Sequence, residues 1–286
     1  TGAARVMREK AINIQNNNSL IDTCGTGGDG SGTFNISTTV ALVLAGSDFS
    51  VAKHGNRSVS SKSGSADVLE KLGINLDLTP SQVEKCLKDV GMGFLFAPVF
   101  HKAMKHAITP RRELKVRTIF NILGPLTNPA RADYQILGVY HPDLVIPMAE
   151  VLKNLGIKGA MVVHGADGLD EFSLSGKNKV AHLKNGHIEE LTVAPEDAGL
   201  NRASLKAVKG GNPEINSEII LSILKGKKGP KRDIVLFNTA AALIITGKAS
   251  NWKEGVNLAG EIIDSEIPLE KLNELIEYTN SLEVVS

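Results

Sequence analysis

The chain has 286 residues, of which 42% are hydrophobic, and its 32 lysines and arginines nearly balance 31 acidic residues, for a formal net charge of +1. This length is enough to bury a substantial core, in one large domain or in two unequal ones. The balanced charge argues against a nucleic-acid-binding surface, and two cysteines are too few for a disulfide framework or a metal knuckle.

The start of the chain shows no secretory signal pattern, and no apolar run in the sequence is long enough to span a bilayer. We therefore expect a protein of the reducing cytoplasm with no membrane association. The chain lacks an initiator Met and opens inside a predicted helix, because Ala3, Ala4, Met7 and Ile12 follow a helical spacing. This opening indicates truncation at the N-terminus.

A glycine-rich loop follows the first predicted strand, which begins at Leu20. The loop holds five glycines within eight positions, namely Gly25, Gly27, Gly28, Gly30 and Gly32. Without Cβ atoms this backbone can adopt positive φ angles and turn successive N–H groups toward an anion. The next helix adds its positive N-terminal end, where Asn35, Ser37 and Thr38 can cap the helix or donate hydroxyl groups. The pattern predicts a phosphate site.

A second polar loop, residues 53–65, follows a predicted strand at 49–52 and precedes a predicted helix at 66–72. It is basic, hydroxyl-rich and flexible, which suits a phosphorylated ligand. Its first residues are Lys53, His54, Gly55, Asn56 and Arg57. A single glycine loop is often purely structural, but loops after two parallel strands converge on one edge of a sheet. Phosphate binding is therefore our first functional hypothesis.

Short apolar runs alternate with helical stretches from residue 20 to residue 73, which is the rhythm of βαβ units in a parallel sheet. Between residues 80 and 117 the pattern becomes mostly helical, because three successive segments each open on a proline. These predicted helices are 80–90, 98–105 and 110–116. The α/β rhythm then returns, with a strand at 134–140, a helix at 144–155 and a strand at 159–163.

Beyond residue 171 the chain shows short β segments and then helices. The β segments, separated by turns, predict an antiparallel addition to the sheet at 172–175, 180–184 and 187–192. Helical spacing predicts three closing helices at 215–223, 234–246 and 252–262. We therefore predict an α/β fold in which a mostly parallel sheet with helices is joined to a small helical domain.

The interruption of the α/β rhythm by helices predicts the domain boundaries. The small helical domain, truncated at its N-terminus, comprises residues 1–18 and 75–120. The large α/β domain, which holds both predicted phosphate-binding loops, comprises residues 19–74 and 121–286.

Asp170 and Glu171 follow a glycine-containing loop at the end of a predicted strand. Adjacent carboxylates repel each other unless a cation lies between them, and such oxygen ligands suit an Mg²⁺ ion that bridges to substrate phosphates. An isolated Asp-Glu pair is usually a solvated acidic turn. Beside two phosphate loops, we favour a metal site.

Arg111 begins a predicted helix after a proline, and an apolar segment at 118–129 follows. Arginine offers a planar fork to a carboxylate, and apolar surface beside it would hold an aromatic ring. Arginines at helix starts are common on protein surfaces, so this pattern alone is weak. His54 could act as a base, although a lone loop histidine more often forms a structural hydrogen bond.

Four motifs carry a resemblance to a known family, and they occur in the expected order. They are Gly25-Thr26-Gly27-Gly28-Asp29, Lys53-His54-Gly55-Asn56-Arg57, the run 111–129, and Gly165-Ala166-Asp167-Gly168-Leu169-Asp170-Glu171. Together they closely resemble the anthranilate phosphoribosyltransferases of tryptophan biosynthesis, which share the nucleoside phosphorylase fold and normally carry further N-terminal helices. The resemblance implies transfer of the phosphoribosyl group of phosphoribosyl pyrophosphate (PRPP) to the amine of anthranilate, with release of pyrophosphate. It also implies a homodimer, and it leaves open an anthranilate synthase component as a partner.

The resemblance also implies the roles of individual residues. The implied substrate-binding residues are Gly25, Gly27, Gly28, Asp29, Thr33, Asn35, Ser37, Thr38, Lys53, His54, Gly55, Asn56, Ser65, Arg111 and Pro125. Arg111 would take the anthranilate carboxylate, and Asp170 and Glu171, with Ser37, would hold Mg²⁺ on the pyrophosphate. Departure of pyrophosphate needs cationic help, and an aromatic amine is already neutral, so a strong general base is unnecessary. Lys53 and Asp29 are the candidates for a direct catalytic part.

Three other hypotheses remain at this point. Gly25-x-Gly27-x-x-Gly30 with Asp48 matches a dinucleotide-binding fingerprint, but Asp29 in the loop would repel a pyrophosphate that lacks a metal. A pyrimidine nucleoside phosphorylase has the same fold, but the motifs at 53–56 and 170–171 favour the transferase. A non-catalytic relative that binds nucleic acid through the basic loops is disfavoured by the near-zero net charge.

Overall fold

The computed structural model describes residues 1–16, 18–47, 49–58, 61–102 and 118–282. Seven strands in this part of the chain form one sheet. They are β1 (Leu20–Gly25), β2 (Ser50–Gly55), β3 (Met92–Phe96), β4 (Tyr134–Gly138), β5 (Gly159–His164), β6 (Asn178–Lys184) and β7 (His187–Val193). The α-helices are α1 (Gly2–Lys10), α2 (Ile36–Ala45), α3 (Ser65–Lys71), α4 (Pro80–Asp89), α5 (Ala97–Phe100), α6 (Phe120–Leu123), α7 (Val145–Asn154), α8 (Pro213–Leu224), α9 (Pro230–Ile245), α10 (Trp252–Asp264) and α11 (Ile267–Ser281).

The strand order is β3-β2-β1-β4-β5-β6-β7. The pairs from β3 to β5 are parallel, and β6 and β7 are antiparallel additions. The chain winds outward from β1 to β3 and then returns to place β4 on the other side of β1. Ligands of open α/β sheets bind outside the carboxyl ends of the strands where the order reverses in this way. The topology therefore indicates a ligand site at the carboxyl ends of β1 and β4.

Helix α2 fixes the position of the first loop relative to the sheet. Its sequence, ISTTVALVLA, is apolar on every face, and nine of its ten residues are buried. It packs against β1, β2 and α9, which is itself mostly buried. A helix that is buried all round has little freedom to move. Its N-terminus is therefore held at the carboxyl edge of the sheet.

Several helices start where the sequence supplies a cap. Thr79 and Gln82 form a reciprocal capping box before Pro80 at the start of α4. Asn212 accepts a hydrogen bond from the Ile215 N–H at 3.0 Å to begin α8. Such polar side chains satisfy backbone donors that lack a partner in the first turn.

The predicted α/β class and the antiparallel addition are confirmed, but three segment predictions are wrong. Residues 92–96 were predicted as part of a helical stretch, yet they form β3 at the edge of the sheet. Residues 172–175 form no strand, because the Asn178 side chain bonds to the Ser173 N–H and carbonyl at 2.7 and 3.1 Å in place of a ladder. Four helices, rather than three, end the described part of the chain, since Pro268 begins a further helix after Glu266.

One part of the domain prediction, the helical character of residues 75–120, is wrong. The small helical domain was expected to include 75–120, but β3 in this range pairs with β2 in the main sheet. The division into two domains stays a prediction. The predicted helix at 110–116 and the end of that at 98–105 lie outside the described residues. Among the described helices, none combines the length and apolarity required to cross a membrane.

Candidate active site

The glycine-rich loop lies at the carboxyl end of β1, where the strand order reverses. Gly27, Gly28, Gly30 and Gly32 have φ angles of +67°, +76°, +69° and +62°, which residues with a Cβ rarely adopt. A Cβ on the first three would meet no atom within 4 Å. Conformation, rather than lack of space, therefore requires glycine at these positions. The loop leads to Asn35, the N-cap residue of α2, so loop and helix together present N–H groups suited to an anion.

Gly25 and Gly138 are glycines for a different reason. They face each other at the ends of β1 and β4, and Asp170 fills the space beside both. A Cβ on Gly25 would overlap the Asp170 carboxylate, and a Cβ on Gly138 would overlap the Asp170 backbone carbonyl. The Gly27 N–H donates to Asp170 Oδ2 at 2.7 Å. The two glycines thus allow Asp170 to lie directly against the glycine-rich loop.

Asp29, Asp170 and Glu171 bring three carboxylates together. The Ser37 N–H at the start of α2 donates to Glu171 Oε1 at 3.2 Å, and the Glu171 side chain is buried. Burial and repulsion from Asp29 raise the pKa of Asp170 to about 7. Burial and repulsion from Asp170 raise the pKa of Glu171 to about 8. The cluster therefore carries an electrostatic cost that a cation would relieve.

The composition of this cluster suits a divalent cation. Oδ2 of Asp29 is buried, and no described residue hydrogen-bonds to it. No three His, Cys, Asp or Glu side chains within the described ranges are arranged to hold a metal ion. A cation at this place would therefore take further ligands from a substrate and from water, as Mg²⁺ does at sites where it bridges to phosphates.

Lys53 lies at the bottom of the site, in β2 rather than in the loop where the sequence placed it. It is in the strand because residues 53–55 pair with β3, which sequence reasoning missed. Its side chain is 1% exposed, and Nζ donates to the Thr23 carbonyl at 2.6 Å and lies 3.5 Å from Ser37 Oγ. Burial lowers the pKa of Lys53, and the nearby charges of Asp22 and Glu171 oppose this shift.

The second loop is anchored by the first turn of α3. Asp67 Oδ2 accepts hydrogen bonds from the Ser58 and Gly64 N–H groups at 3.0 and 2.8 Å. Arg57 forms ion pairs with Glu70 at 2.7 Å and with Asp67 at 3.3 Å. Arg57, one of the basic residues that suggested phosphate binding, therefore stabilises the loop itself.

The beginning of the second loop is closely packed. A Cβ on Gly55 would overlap the Ser65 hydroxyl and approach the Phe94 ring. The Ser65 hydroxyl donates to the Asn56 carbonyl at 3.4 Å. Gly55 thus allows β2 to pass directly beside the start of α3 and turn toward the first loop.

Asn35 connects the two loops and a third segment. Its Nδ2 donates to the Ser63 carbonyl at 3.2 Å, and its Oδ1 accepts from Asn216 Nδ2 at 2.8 Å. Asn216 lies on α8, far along the chain, and sequence reasoning missed it because no spacing connects it to Asn35. The nearby Thr38 hydroxyl is buried without a hydrogen-bond partner among the described residues.

Lys209 is a second residue that sequence reasoning missed. Its Nζ donates to the Ser31 carbonyl, and Thr33 forms a β-bridge with Lys209. The Gly210 N–H also donates to the Gly32 carbonyl at 3.0 Å. This segment therefore supports the end of the glycine-rich loop from outside. A pair of glycines, Gly210 and Gly211, was the only local signal in the sequence.

His54 faces His101, with their Nε2 atoms 3.2 Å apart. Burial and the neighbouring His101 lower the pKa of His54 to about 3, and burial lowers the pKa of His101. Both imidazoles are therefore neutral near pH 7, and one donates a hydrogen bond to the other. Pro125 lies in the adjacent turn, where its carbonyl accepts from Gln135 Nε2 at 2.6 Å.

These elements enclose a cleft of about 920 Å³. Every predicted site residue within the described ranges lines it: Gly25, Gly27, Gly28, Asp29, Thr33, Asn35, Ser37, Thr38, Lys53, His54, Gly55, Asn56, Ser65, Pro125, Asp170 and Glu171. Arg111 lies outside the described residues, as does Asp48 of the dinucleotide hypothesis. Met7 and His101 also line the cleft, although no prediction placed them in a site, and Phe120 lines it from the apolar segment 118–129.

Comparison with known proteins gives similar chains over nearly the whole length. Residues 17–266 match the glycosyl transferase family, a/b domain. An anthranilate phosphoribosyltransferase from Petrotoga mobilis is 60% identical over 283 residues, which cover 99% of this chain and 82% of that protein.

Two solved structures of anthranilate phosphoribosyltransferases share the fold. That from Thermus thermophilus has a TM-score of 0.91 and 46% identity, and the match covers 97% of this chain and 83% of that one. That from Saccharomyces cerevisiae, in complex with PRPP and Mg, has a TM-score of 0.91 and 33% identity, covering 98% and 79%.

Proposed function

The chain belongs to the anthranilate phosphoribosyltransferases, and we propose that its cleft binds PRPP and anthranilate side by side. The reaction transfers the phosphoribosyl group of PRPP to the anthranilate amine, giving N-(5-phosphoribosyl)anthranilate and pyrophosphate. One observation carries the assignment of the site. A loop of positive-φ glycines that leads into α2, a buried lysine and three carboxylates meet at the reversal point of the sheet.

The phosphates of PRPP would lie against the glycine-rich loop and the start of α2. Gly27, Gly28 and Gly30 hold the loop at positive φ angles, a conformation in which loops can turn N–H groups toward an anion, although the Gly27 N–H itself donates to Asp170. Lys53 adds a positive charge beneath this place, beside Ser37. Because Lys53 is almost completely buried, its interaction with a developing negative charge is weakly screened by water.

Asp170 and Glu171, with Ser37, would hold Mg²⁺, and Asp29 lies beside them. Carboxylate oxygens are ligands that Mg²⁺ prefers, and burial, followed by repulsion between the carboxylates, raises the pKa values of Asp170 and Glu171, a cost that a cation would reduce. When bound, the ion supplies positive charge that stabilises the departing pyrophosphate. The residues themselves orient this charge, since Asp170 is fixed by the Gly27 N–H and Glu171 by the Ser37 N–H.

Anthranilate would lie on the other side of the cleft, between His54, Asn56 and Pro125. Leu123 and Pro125 offer apolar surface to an aromatic ring. The neutral His54 can exchange hydrogen bonds with the substrate without adding a charge. Arg111 stays our prediction for the partner of the anthranilate carboxylate.

The chemistry requires charge stabilisation more than proton abstraction. Cleavage of the bond between the anomeric carbon and pyrophosphate produces a polyanion, which cationic groups and N–H dipoles stabilise. The attacking amine is neutral at working pH and already carries a lone pair. His54, with a pKa of about 3, is a weak base. We therefore infer that positioning and electrostatics supply most of the rate.

We also infer a cytoplasmic homodimer. Both cysteines, Cys24 and Cys86, are free and buried, which fits a reducing compartment. Sedimentation velocity at several concentrations tests the dimer, and a single monomer peak at every concentration would contradict it.

The direct test of the function follows the loss of anthranilate fluorescence when the protein is mixed with PRPP and Mg²⁺. We expect turnover that requires all three components and that EDTA abolishes. Matched reactions contain Asp77→Asn, an exposed carboxylate outside the cleft, and Glu171→Gln. Turnover by the first and strongly reduced turnover by the second support the site. Phosphorolysis of pyrimidine nucleosides without anthranilate turnover would instead identify a nucleoside phosphorylase.

A further inference from the structure

The sheet is open between β2 and β1, the second and third strands from its β3 edge. β1 and β2 pair only at Leu20 with Ser50 and Ile21 with Val51, although each strand continues for four more residues. On their other sides both strands remain paired to their ends, β1 with β4 and β2 with β3. The separation therefore lies between the two strands that lead into the two loops of the cleft.

Buried side chains fill this opening and replace the missing ladder. Asp22 Oδ1 accepts a hydrogen bond from the His54 N–H at 3.3 Å. Asn128 Nδ2 donates both to the Ala52 carbonyl and to Asp22 Oδ2, each at 2.8 Å. Lys53 Nζ donates to the Thr23 carbonyl from the same opening. Adjacent strands normally lie about 4.8 Å apart, which leaves no room for an amide group between them.

Asp22 is also tied to β4. Gln135 lies directly opposite Asp22 in the register of β1 and β4. Its Nε2 lies 3.4 Å from Asp22 Oδ2 and donates to the Pro125 carbonyl at 2.6 Å. Asp22 and Asn128 are 0% and 1% exposed, so the carboxylate is shielded from bulk solvent. One buried group thus connects Lys53 and His54 on one side with Pro125 on the other.

We propose that Asp22, held by Asn128 and Gln135, is a positioning residue that keeps β1 and β2 apart. Their separation places the Lys53 ammonium between Thr23 and Ser37 at the bottom of the cleft. The same carboxylate fixes the backbone of His54. This inference rests on the proposed function, because it assigns Asp22 to the geometry of the two substrate sites.

The first test is Asp22→Asn, which preserves shape and leaves one acceptor oxygen where the carboxylate has two. In either orientation the new amide turns its N–H groups toward a donor, either the His54 N–H or the Asn128 and Gln135 amides, and the opening would rearrange. A displacement of about 1 Å in a reacting group can reduce activity about 10²-fold. We expect kcat/KM to fall by about this factor for both substrates, with KM for PRPP and for anthranilate both raised.

Rescue separates positioning from general stability. In the double variant Asp22→Asn, Asn128→Asp, the amide and carboxylate exchange places and the 22–128 hydrogen bond is restored. The bond from residue 128 to the Ala52 carbonyl and the contact between Gln135 Nε2 and the residue 22 side chain are lost. We expect the double variant to recover at least about 5-fold over Asp22→Asn, as coupled neighbours do in a double-mutant cycle. A double variant that is worse than either single variant would contradict the proposal.

Asp264→Asn is the matched control. Asp264 pairs with the buried Arg232, 2.8 Å from Nη2, and neither residue lines the cleft. Both Asp-to-Asn changes should lower the melting temperature, but Asp264→Asn should leave both KM values unchanged. If Asp22→Asn also lowers only the melting temperature, the positioning role is wrong while the proposed function stands. Absence of turnover in the wild-type chain would instead reject the function itself.

A second variant, which keeps the Asp22 carboxylate, tests the proposal if Asp22→Asn does not fold. Gln135→Met preserves volume but removes the bonds to Asp22 and Pro125. We expect it to raise KM for anthranilate more than KM for PRPP, because Pro125 is on the anthranilate side. Equal or unchanged KM values in folded Gln135→Met would contradict the connection through β4.

Discussion

The carboxylate cluster leads to an unusual prediction: Asp170→Asn should stabilise the metal-free protein while it reduces activity. The folded state raises the pKa of Asp170 from 3.8 to about 7, chiefly through burial and then through repulsion from Asp29. The folded protein therefore binds more protons than the unfolded chain between these two values. Its stability consequently falls as pH rises through this window. Asparagine has the same shape and carries no charge at any of these pH values.

The size of the effect follows from the pKa values. One pKa unit corresponds to about 1.4 kcal/mol, so a rise of about three units sets an upper bound of about 4 kcal/mol above pH 7. Asp170 is partly exposed, and solvent reduces this cost. Asparagine can still accept the Gly27 hydrogen bond. We therefore expect a gain of about 1–2 kcal/mol at pH 8, or about 3–6 °C in melting temperature.

The assay is thermal unfolding of both proteins in EDTA at pH 5 and pH 8. We expect the variant to melt higher at pH 8 and the difference to shrink at pH 5, where the wild-type carboxyl is mostly protonated in the folded state. The exposed Asp77→Asn should show no such dependence on pH. Mg²⁺ with PRPP should stabilise the wild type more than the variant. A variant that melts lower than the wild type by the same amount at both pH values would refute the repulsion argument.

Three further predictions concern turnover. His54→Asn should reduce kcat by less than the 10²–10⁴-fold expected when a general base is removed. It should also keep the pH profile of kcat, because the pKa of His54 is about 3. Loss of an acid limb near pH 6.5 would instead identify His54 as the base. Arg111→Ala should raise KM for anthranilate much more than KM for PRPP. The control Arg57→Ala, which breaks ion pairs with Glu70 and Asp67, should change the two KM values equally or not at all. Equal effects of Arg111→Ala on both KM values would assign Arg111 a structural role. Glu171→Gln should shift the Mg²⁺ concentration for half-maximal rate upward with the fold intact, and a wild-type Mg²⁺ dependence would contradict its role as a ligand.

The sequence predicted the loops well because their chemistry is local. The density of glycines at 27, 28, 30 and 32 predicts positive φ angles, and each of these residues has a positive φ angle in the structure. The burial of α2 follows from a segment that is apolar on every face. The edge strand β3 was missed because its short run, MGFLF, lies between helices and carries no alternation of polar and apolar residues.

The contacts that support the loops could not be predicted, because they join residues far apart in the chain. Asn216 meets Asn35 across 181 positions, and Lys209 meets Ser31 across 178. Asp22 carried no separate signal in the sequence, where it precedes the glycine-rich loop. Its role depends on Asn128, whose side chain lies in the opening between β1 and β2. Without an alignment, nothing in one sequence marks such a pair.

The charges of the cleft explain why substrate and cation belong together. Asp29, Asp170 and Glu171 repel one another and would repel the pyrophosphate of PRPP alone. Lys53 is almost completely buried, so an anion beside Ser37 would stabilise its positive charge. The same charge would repel a cation that bound without an anion. Under the proposed assignment, a pyrophosphate that carries Mg²⁺ would bring positive charge to the carboxylates and negative charge to Lys53. Each half of the site would therefore favour the ligand that satisfies the other half, and no strong base would be needed to complete the transfer.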